Sequence, residues 1–228
     1  MRKANQLLAA LPADDFARLE GSLQPVAMEF KQVLHRPEEA IENVYFPESG
    51  FMSMVSEMAE QIVEVATVGN EGFLGMPIFL GSNHSTLTTL SQIPGSGLLL
   101  SAAAFRDFLK TSPTLFRLMQ LYVQSLIHQI AQSAACNRAH VLERRCARWL
   151  LMSHDRVESD TFPLTQEFLG QMLGVHRPQV NKVAKQLSLL GLIRYSRGII
   201  TVLDRAGLEK LACECYGRVR DEHARLLG

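Results

Sequence analysis

The stretch Leu164–Ile193, LTQEFLGQMLGVHRPQVNKVAKQLSLLGLI, constrains the fold more than any other part of the chain, because two short helical patterns meet across one glycine. Thr165 is a good N-terminal cap for the first helix, and Glu167 suits its first turn. Gly170 would let a second helix cross closely, and Gly174 supplies the turn that ends the first helix. The spacing therefore predicts a helix-turn-helix.

The second helix of this pair has one apolar stripe and a polar, basic remainder. Pro178 fits the first turn, where a backbone N–H has no intrahelical acceptor. Because proline disfavours the α conformation in the residue before it, Arg177 is predicted to be the cap. The N-terminal end of such a helix is the part that reaches base edges in the major groove. The predicted stripe consists of Val180, Val183, Ala184 and Leu187.

A short hairpin is predicted directly after the second helix, because the β-rich runs of LIRYSRGIITVLD (192–204) flank Ser-Arg-Gly. A hairpin in this position makes a winged helix-turn-helix, in which Arg194 and Arg197 can contact phosphates. The predicted DNA-binding residues are Thr165, Gln166, His176, Arg177, Gln179, Asn181, Lys182, Lys185, Arg194 and Arg197.

The net charge of zero conceals two halves of opposite sign. Residues 1–135 hold 8 Lys/Arg against 13 Asp/Glu, whereas residues 136–228 hold 15 against 10. From 165 to 197 there are five Lys/Arg and one acid. The basic half is thus the candidate for binding a polyanion, as DNA binding requires.

The first hundred residues read as short strands separated by glycines. The runs at 43–46, 50–55, 63–68 and 85–93 are β-rich, and 100–112 then reads as a helix. Short strands at near-regular spacing predict a sandwich or a rolled barrel.

A long helix is predicted from Pro113, because no glycine or further proline occurs before His154. It carries two apolar stripes. One can cover the β domain and the other can pair with a second subunit, the alternative being a helix buried inside one monomer. Asn137 is predicted to cap a break before a further helix at 141–154. The predicted dimer seam is Leu115, Met119, Tyr122 and Leu126; the second stripe is Phe116, Val123, Ile127, Ile130 and Ala134.

The N-terminal apolar run is too short for a signal peptide, and no segment approaches the ~20 uncharged residues of a membrane span. Four cysteines are too few for a disulfide framework, so the chain is expected in the cytoplasm without membrane association. Cys136 and Cys146 are predicted to be interior thiols. Cys213 and Cys215 form a pair that could bind a soft metal, but without a second pair they are predicted to pack in a helix. No metal site and no cofactor are therefore predicted.

With these motifs in order, the sequence resembles the Crp/Fnr family of bacterial transcription regulators over nearly its whole length. The C-terminal block at 164–198 carries the resemblance most specifically, and VYFPESGFMSMV and EVATVGNEGFLG fit the family's β-roll. The resemblance implies an α+β fold: a cyclic-nucleotide-binding-like β-roll sensor with flanking helices (1–112), a long dimerisation helix (113–137) and a winged helix-turn-helix domain (138–228). It also implies a homodimer that binds near-palindromic double-stranded DNA, with RNA polymerase as a candidate further partner.

At the positions where the family reads DNA bases and binds its effector, this chain departs from the family's pattern. By resemblance, Arg177 corresponds to the arginine with which the family reads guanine. Pro178 has no side chain that could accept a hydrogen bond from the N4 amino group of cytosine. Cyclic-nucleotide binders of the family carry a glutamate where this chain has Met76, and an arginine about ten residues later. Here no arginine occurs from 37 to 105. Cyclic AMP is therefore not expected to bind, and the effector is unknown: an apolar molecule, or none if the β-roll fills its own interior.

Two functional classes stay open. One is a dimeric DNA-binding regulator, and the other is a β-roll regulatory module that acts mainly through protein contacts. An enzyme is not expected, because no paired carboxylates, nucleophile–base order or phosphate-binding glycine loop stands out.

Overall fold

The computed structural model describes residues 5–59, 61–157 and 159–228, and their internal contacts divide them into two compact units. The first unit holds the described residues up to Met54 together with Thr67–Ile127 and His223–Gly228. The second unit holds the described residues of 55–66 and of 128–222. The division falls within the long helix, after Ile127.

The first unit is built on two sheets. Strands β1 (Gln24–Met28), β7 (Gly95–Ser101) and β3 (Asn43–Pro47) form one, in that order. The other has the order β2 (Val33–His35), β6 (Thr88–Ile93), β4 (Phe51–Met58) and β5 (Gln61–Val68), of which β4 and β5 extend into the second unit. The four predicted β-rich runs are thus confirmed as strands. The helices are α1 (Gln6–Ala9), α2 (Ala13–Glu20), α3 (Met76–Phe79) and α4 (Ala102–Thr111).

An aromatic cluster fills the core of this unit. The Phe73 ring lies 5.9 Å from Phe46, 5.6 Å from Phe105 and 5.3 Å from Tyr122, between ring centroids. All four side chains are buried, and such tilted or stacked pairs add to the burial of their apolar area. The cluster joins a strand, a loop, α4 and the long helix into one core.

The long helix α5 runs from Pro113 to Ala139, and α6 follows at Leu142–His154. The predicted break at Asn137 is wrong: α5 continues past it, and α6 has Val141 at its N-cap without a side-chain hydrogen bond. An asparagine can cap a helix, but in this chain the turn is made at His140 and Val141 instead.

The predicted assignment of the dimer seam also needs correction. Leu115, Met119, Tyr122 and Leu126 are at most 3% exposed in a single chain, so they present no surface to a partner. On the second stripe, Phe116 is 43% and Ile127 57% exposed, whereas Val123 is buried. The predicted seam residues thus pack inside their own chain, and the exposed apolar side chains of α5 belong to the second stripe.

The second unit contains the predicted winged helix-turn-helix. Helix α7 (Gln166–Leu173) and helix α8 (Arg177–Leu189) follow α6, and α9 (Arg205–Leu211) and α10 (Cys215–Leu227) close the chain, the end of α10 belonging to the first unit. A small antiparallel sheet has the order β8 (Thr161–Pro163), β10 (Ile199–Val202), β9 (Ile193–Ser196). Strand β8 extends the predicted hairpin. Within the described residues, no helix combines the length and apolar character needed to cross a bilayer.

Candidate nucleic-acid interface

Helix α7 is fixed at both ends by the residues that the sequence pattern indicates. The Thr165 hydroxyl accepts a hydrogen bond from the Phe168 N–H at 3.2 Å, as an N-cap does. Gly174 ends the helix with φ +64°, a left-handed conformation that favours glycine. A Cβ at Gly170 would lie 2.8 Å from the Val175 carbonyl oxygen, so only glycine allows this close approach.

Helix α8 begins one residue earlier than predicted. His176 is the N-cap, and its backbone N–H donates to the Gln179 side-chain oxygen at 3.2 Å. Arg177 is therefore the first residue of the helix rather than its cap. Pro178 occupies the first turn without losing a hydrogen bond, as predicted. Pro178 disfavours the α conformation at Arg177, but the hydrogen bond from the His176 N–H to the Gln179 side chain places the helix start at Arg177 nevertheless.

One face of α8 is buried, and it is the predicted stripe. Val180, Val183, Ala184 and Leu187 are each at most 3% exposed. The opposite face leaves charged and amide side chains in solvent, as follows from the helical period. The exposed set is His176, Arg177, Gln179, Asn181, Lys182, Lys185 and Gln186.

The wing is a tight hairpin whose tip carries a cation. Ser196 pairs with Ile199, and the two residues between them, Arg197 and Gly198, both have positive φ, of 51° and 77°. This pair of angles matches the twist of the flanking strands and keeps the hairpin short. Arg197 is exposed at the tip, and Arg194 is exposed on β9.

Two hydrogen bonds connect the wing to the segment that precedes α7. The Leu164 N–H donates to the Gly198 carbonyl at 2.7 Å, and the Tyr195 hydroxyl donates to the Leu164 carbonyl at 2.9 Å. Thr165 follows directly in sequence, so the wing tip and the first residue of the helix-turn-helix are fixed together. Tyr195 is not among the residues that the sequence predicts for this site. The signal that could have indicated it is its position on the predicted strand between Arg194 and Arg197.

All of the predicted DNA-binding residues except Gln166 are exposed. Gln166 is half-buried, and its side-chain amide donates to Asn181 at 3.4 Å, so these two side chains link α7 to α8. Burial raises the pKa of Tyr195, and the charge of Arg177 acts in the opposite direction. Across 165–197, Glu167 is the single acid against five cations.

Comparison with known proteins supports this architecture. The model of a Crp-like helix-turn-helix domain matches residues 144–211. The chain has the fold of solved Crp/Fnr-family regulators, and its residues 144–211 form a Crp-like helix-turn-helix domain. No curated protein sequence matches the chain significantly.

Several solved structures share this Crp/Fnr fold at low sequence identity. A Crp/Fnr-family regulator described from Eubacterium rectale is 17% identical, with a TM-score of 0.70 over 90% of this chain and 96% of that one. TTHB099 from Thermus thermophilus is 18% identical, with a TM-score of 0.69 over 82% and 96%. FixK2 from Bradyrhizobium japonicum is 15% identical, with a TM-score of 0.67 over 84% and 98%.

Proposed function

We propose that this chain is a homodimeric, sequence-specific DNA-binding regulator of transcription that acts in the cytoplasm. The observation that carries the proposal is the exposed N-terminal end of α8, where Arg177, Gln179 and Lys182 project from a helix whose opposite face is buried. A helix seated in this way on a second helix can enter the major groove with its first turns.

Side chains at this end of α8 divide by the contacts their chemistry favours. The Arg177 guanidinium can donate two parallel hydrogen bonds to the O6 and N7 atoms of guanine, which specifies a base. Lys182 and Lys185 are point charges suited to phosphates, and Arg194 and Arg197 extend the same contact to the wing. The hairpin that fixes the wing tip beside Thr165 would then set the register of α8 on the duplex.

A homodimer is proposed because half-site pairing needs two such helices. Phe116 and Ile127 on α5 are large apolar side chains that stay exposed in one chain, and a second copy of α5 is the surface that the two-fold arrangement would bring to them. Two recognition helices would read half-sites about 34 Å apart, which makes the site near-palindromic.

The decisive experiment is selection of bound sequences from random DNA by the full chain, followed by a salt titration on the enriched site. The expected result is a near-palindromic motif and a steep linear fall of log K with log salt concentration. A chain that works mainly through protein contacts would enrich no motif, and any residual DNA binding would depend weakly on salt.

A further inference from the structure

A second cluster of reactive side chains lies in the same unit as the helix-turn-helix and is not needed for DNA binding. Cys136 lies in the last turn of α5 and His140 directly follows that helix, whereas Cys213 precedes α10 and Cys215 begins it. One donor atom from each of the four lies within 4.8 Å of every other. We propose that these four residues bind a single zinc ion, or a divalent ion that substitutes for it.

Two of the donor–donor distances are close to the edges of a tetrahedron around one ion. The Cys136 and Cys213 sulfurs are 3.4 Å apart, and the Cys215 sulfur is 3.6 Å from the His140 Nδ1 atom. Zinc binds sulfur at about 2.3 Å and histidine nitrogen at about 2.0–2.1 Å, so the edges of its tetrahedron are roughly 3.5–3.8 Å. An iron–sulfur cluster distributes its four ligands over two or four irons, and that arrangement needs a wider set of donors than this one.

The surroundings match what a bound ion requires beyond its ligands. The other ring nitrogen of His140, Nε2, lies 3.3 Å from a carboxylate oxygen of Glu214, which holds Nδ1 toward the thiols. The Gln132 amide donates to the Cys215 sulfur at 3.1 Å. Buried Arg148 donates to Ser133, one turn before Cys136, so a positive charge borders a set that becomes anionic with three thiolates.

The donor set indicates a structural rather than a catalytic ion. Cys136, Cys213 and Cys215 are each at most 3% exposed, and four protein ligands complete a tetrahedron without an open position for substrate. The chain between Cys136 and Cys213 contains α6 to α9, including the whole helix-turn-helix. An ion bound by these residues would link the two ends of that segment, so its binding would stabilise the folded unit.

A disulfide is the other chemistry open to these thiols. It would join Cys136 to Cys213 and would release two protons and two electrons to an oxidant. That reaction uses neither Cys215 nor the His140–Glu214 pair, whereas a metal ion uses all of them. The complete set therefore favours the ion.

The test is the metal content of the full chain, expressed in zinc-supplemented medium and purified with reductant and without chelator. We expect one zinc per chain by mass spectrometry of the elements. Replacement of zinc by Co²⁺ should give the intense visible absorption of a tetrahedral thiolate site. Cys213→Ala and His140→Ala should lower the metal content or affinity at least tenfold.

Cys146→Ala is the matched control, because Cys146 is buried in the same unit, burial raises its pKa to about 12, and it lies outside the four donors. It should retain one zinc. A reduced parent chain that binds no zinc, a Co²⁺ spectrum typical of octahedral oxygen ligation, or equal zinc binding by parent and Cys213→Ala would each overturn the proposal. Isolation of a Cys136–Cys213 disulfide from a chain that binds no zinc after reduction would overturn it too. Should Cys213→Ala fail to fold, the cobalt spectrum of the parent decides.

Discussion

The Nε2 atom of His140 lies 3.3 Å from a carboxylate oxygen of Glu214, so an acid from the α9–α10 connection orients a ring in the turn that follows α5. If the ring binds an ion through Nδ1, this carboxylate should raise its basicity and fix its tautomer. Glu214→Gln should then weaken zinc binding roughly 10–100-fold, measured by competition with a chromophoric chelator.

Glu209→Gln is the control for this measurement. Glu209 is also an acid near the end of the chain, but it pairs with Arg205 at 3.1 Å rather than with His140. Its replacement should leave the zinc affinity unchanged. Equal weakening by the two substitutions would show that charge in general, and not the His140 contact, is responsible.

The sequence predicts this molecule best where periodicity is local. The strand runs, the buried stripe of α8 and the tight turn at Gly174 all follow from patterns within a dozen residues. The two stripes of α5 are chemically alike, so which one the chain covers depends on packing that periodicity does not encode. The cluster of Cys136 with Cys213 joins residues 77 positions apart, and no spacing rule predicts such a contact.

Base reading should depend on Arg177 far more than on the wing. Arg177→Ala should cost about 1–3 kcal/mol at the selected site and relax the preference at one guanine. Arg197→Asn is the comparison, because asparagine tolerates the positive φ at the wing tip while removing the charge. It should weaken all sequences about equally and lower the salt slope by about 1. Fluorescence anisotropy on specific and scrambled duplexes separates the two. Unchanged specific binding by Arg177→Ala would refute the assignment of α8.

The crossing of α7 and α8 should depend on the absence of a side chain at Gly170. An added methyl would meet the Val175 carbonyl at 2.8 Å and the Val180 side chain at 3.4 Å. Gly170→Ala should therefore destabilise the unit by about 1–3 kcal/mol, as overpacking does. Urea unfolding followed by circular dichroism measures the change.

Gly217→Ala is the control for Gly170→Ala, because it should change the free energy of unfolding in the opposite direction. Gly217 lies in α10, and its nearest neighbour, an Asp221 oxygen, would be 4.0 Å from a new Cβ. Alanine there should raise stability by up to about 1 kcal/mol through helix propensity. A destabilising Gly217→Ala with a neutral Gly170→Ala would contradict the described crossing.

Dimerisation should depend on the exposed stripe of α5. Ile127→Glu places a charge at a site that is 57% exposed in one chain and apolar in the proposed dimer. Sedimentation should show a dimer for the parent and a monomer for Ile127→Glu, with loss of binding to the palindromic site. Arg117→Glu changes an exposed position on the same helix about 80–100° around its circumference from Phe116 and Ile127, and should remain a dimer. A parent that sediments as a monomer while bound to its site would exclude the dimer.

Cyclic AMP should not bind this chain tightly. Met76 begins α3 at the position where the family's cyclic-nucleotide binders carry an acid for the ribose, and neither lysine nor arginine occurs from 37 to 105. A buried phosphodiester without a cationic partner is strongly destabilised, because its charge loses water and gains no charge-assisted hydrogen bond. Titration calorimetry with cyclic AMP and cyclic GMP should show no heat of binding at micromolar concentrations. Micromolar binding of either nucleotide would mean that backbone N–H groups or a cation of a second subunit neutralises the phosphate. Repeating the titration with the monomeric Ile127→Glu variant would distinguish these two sources.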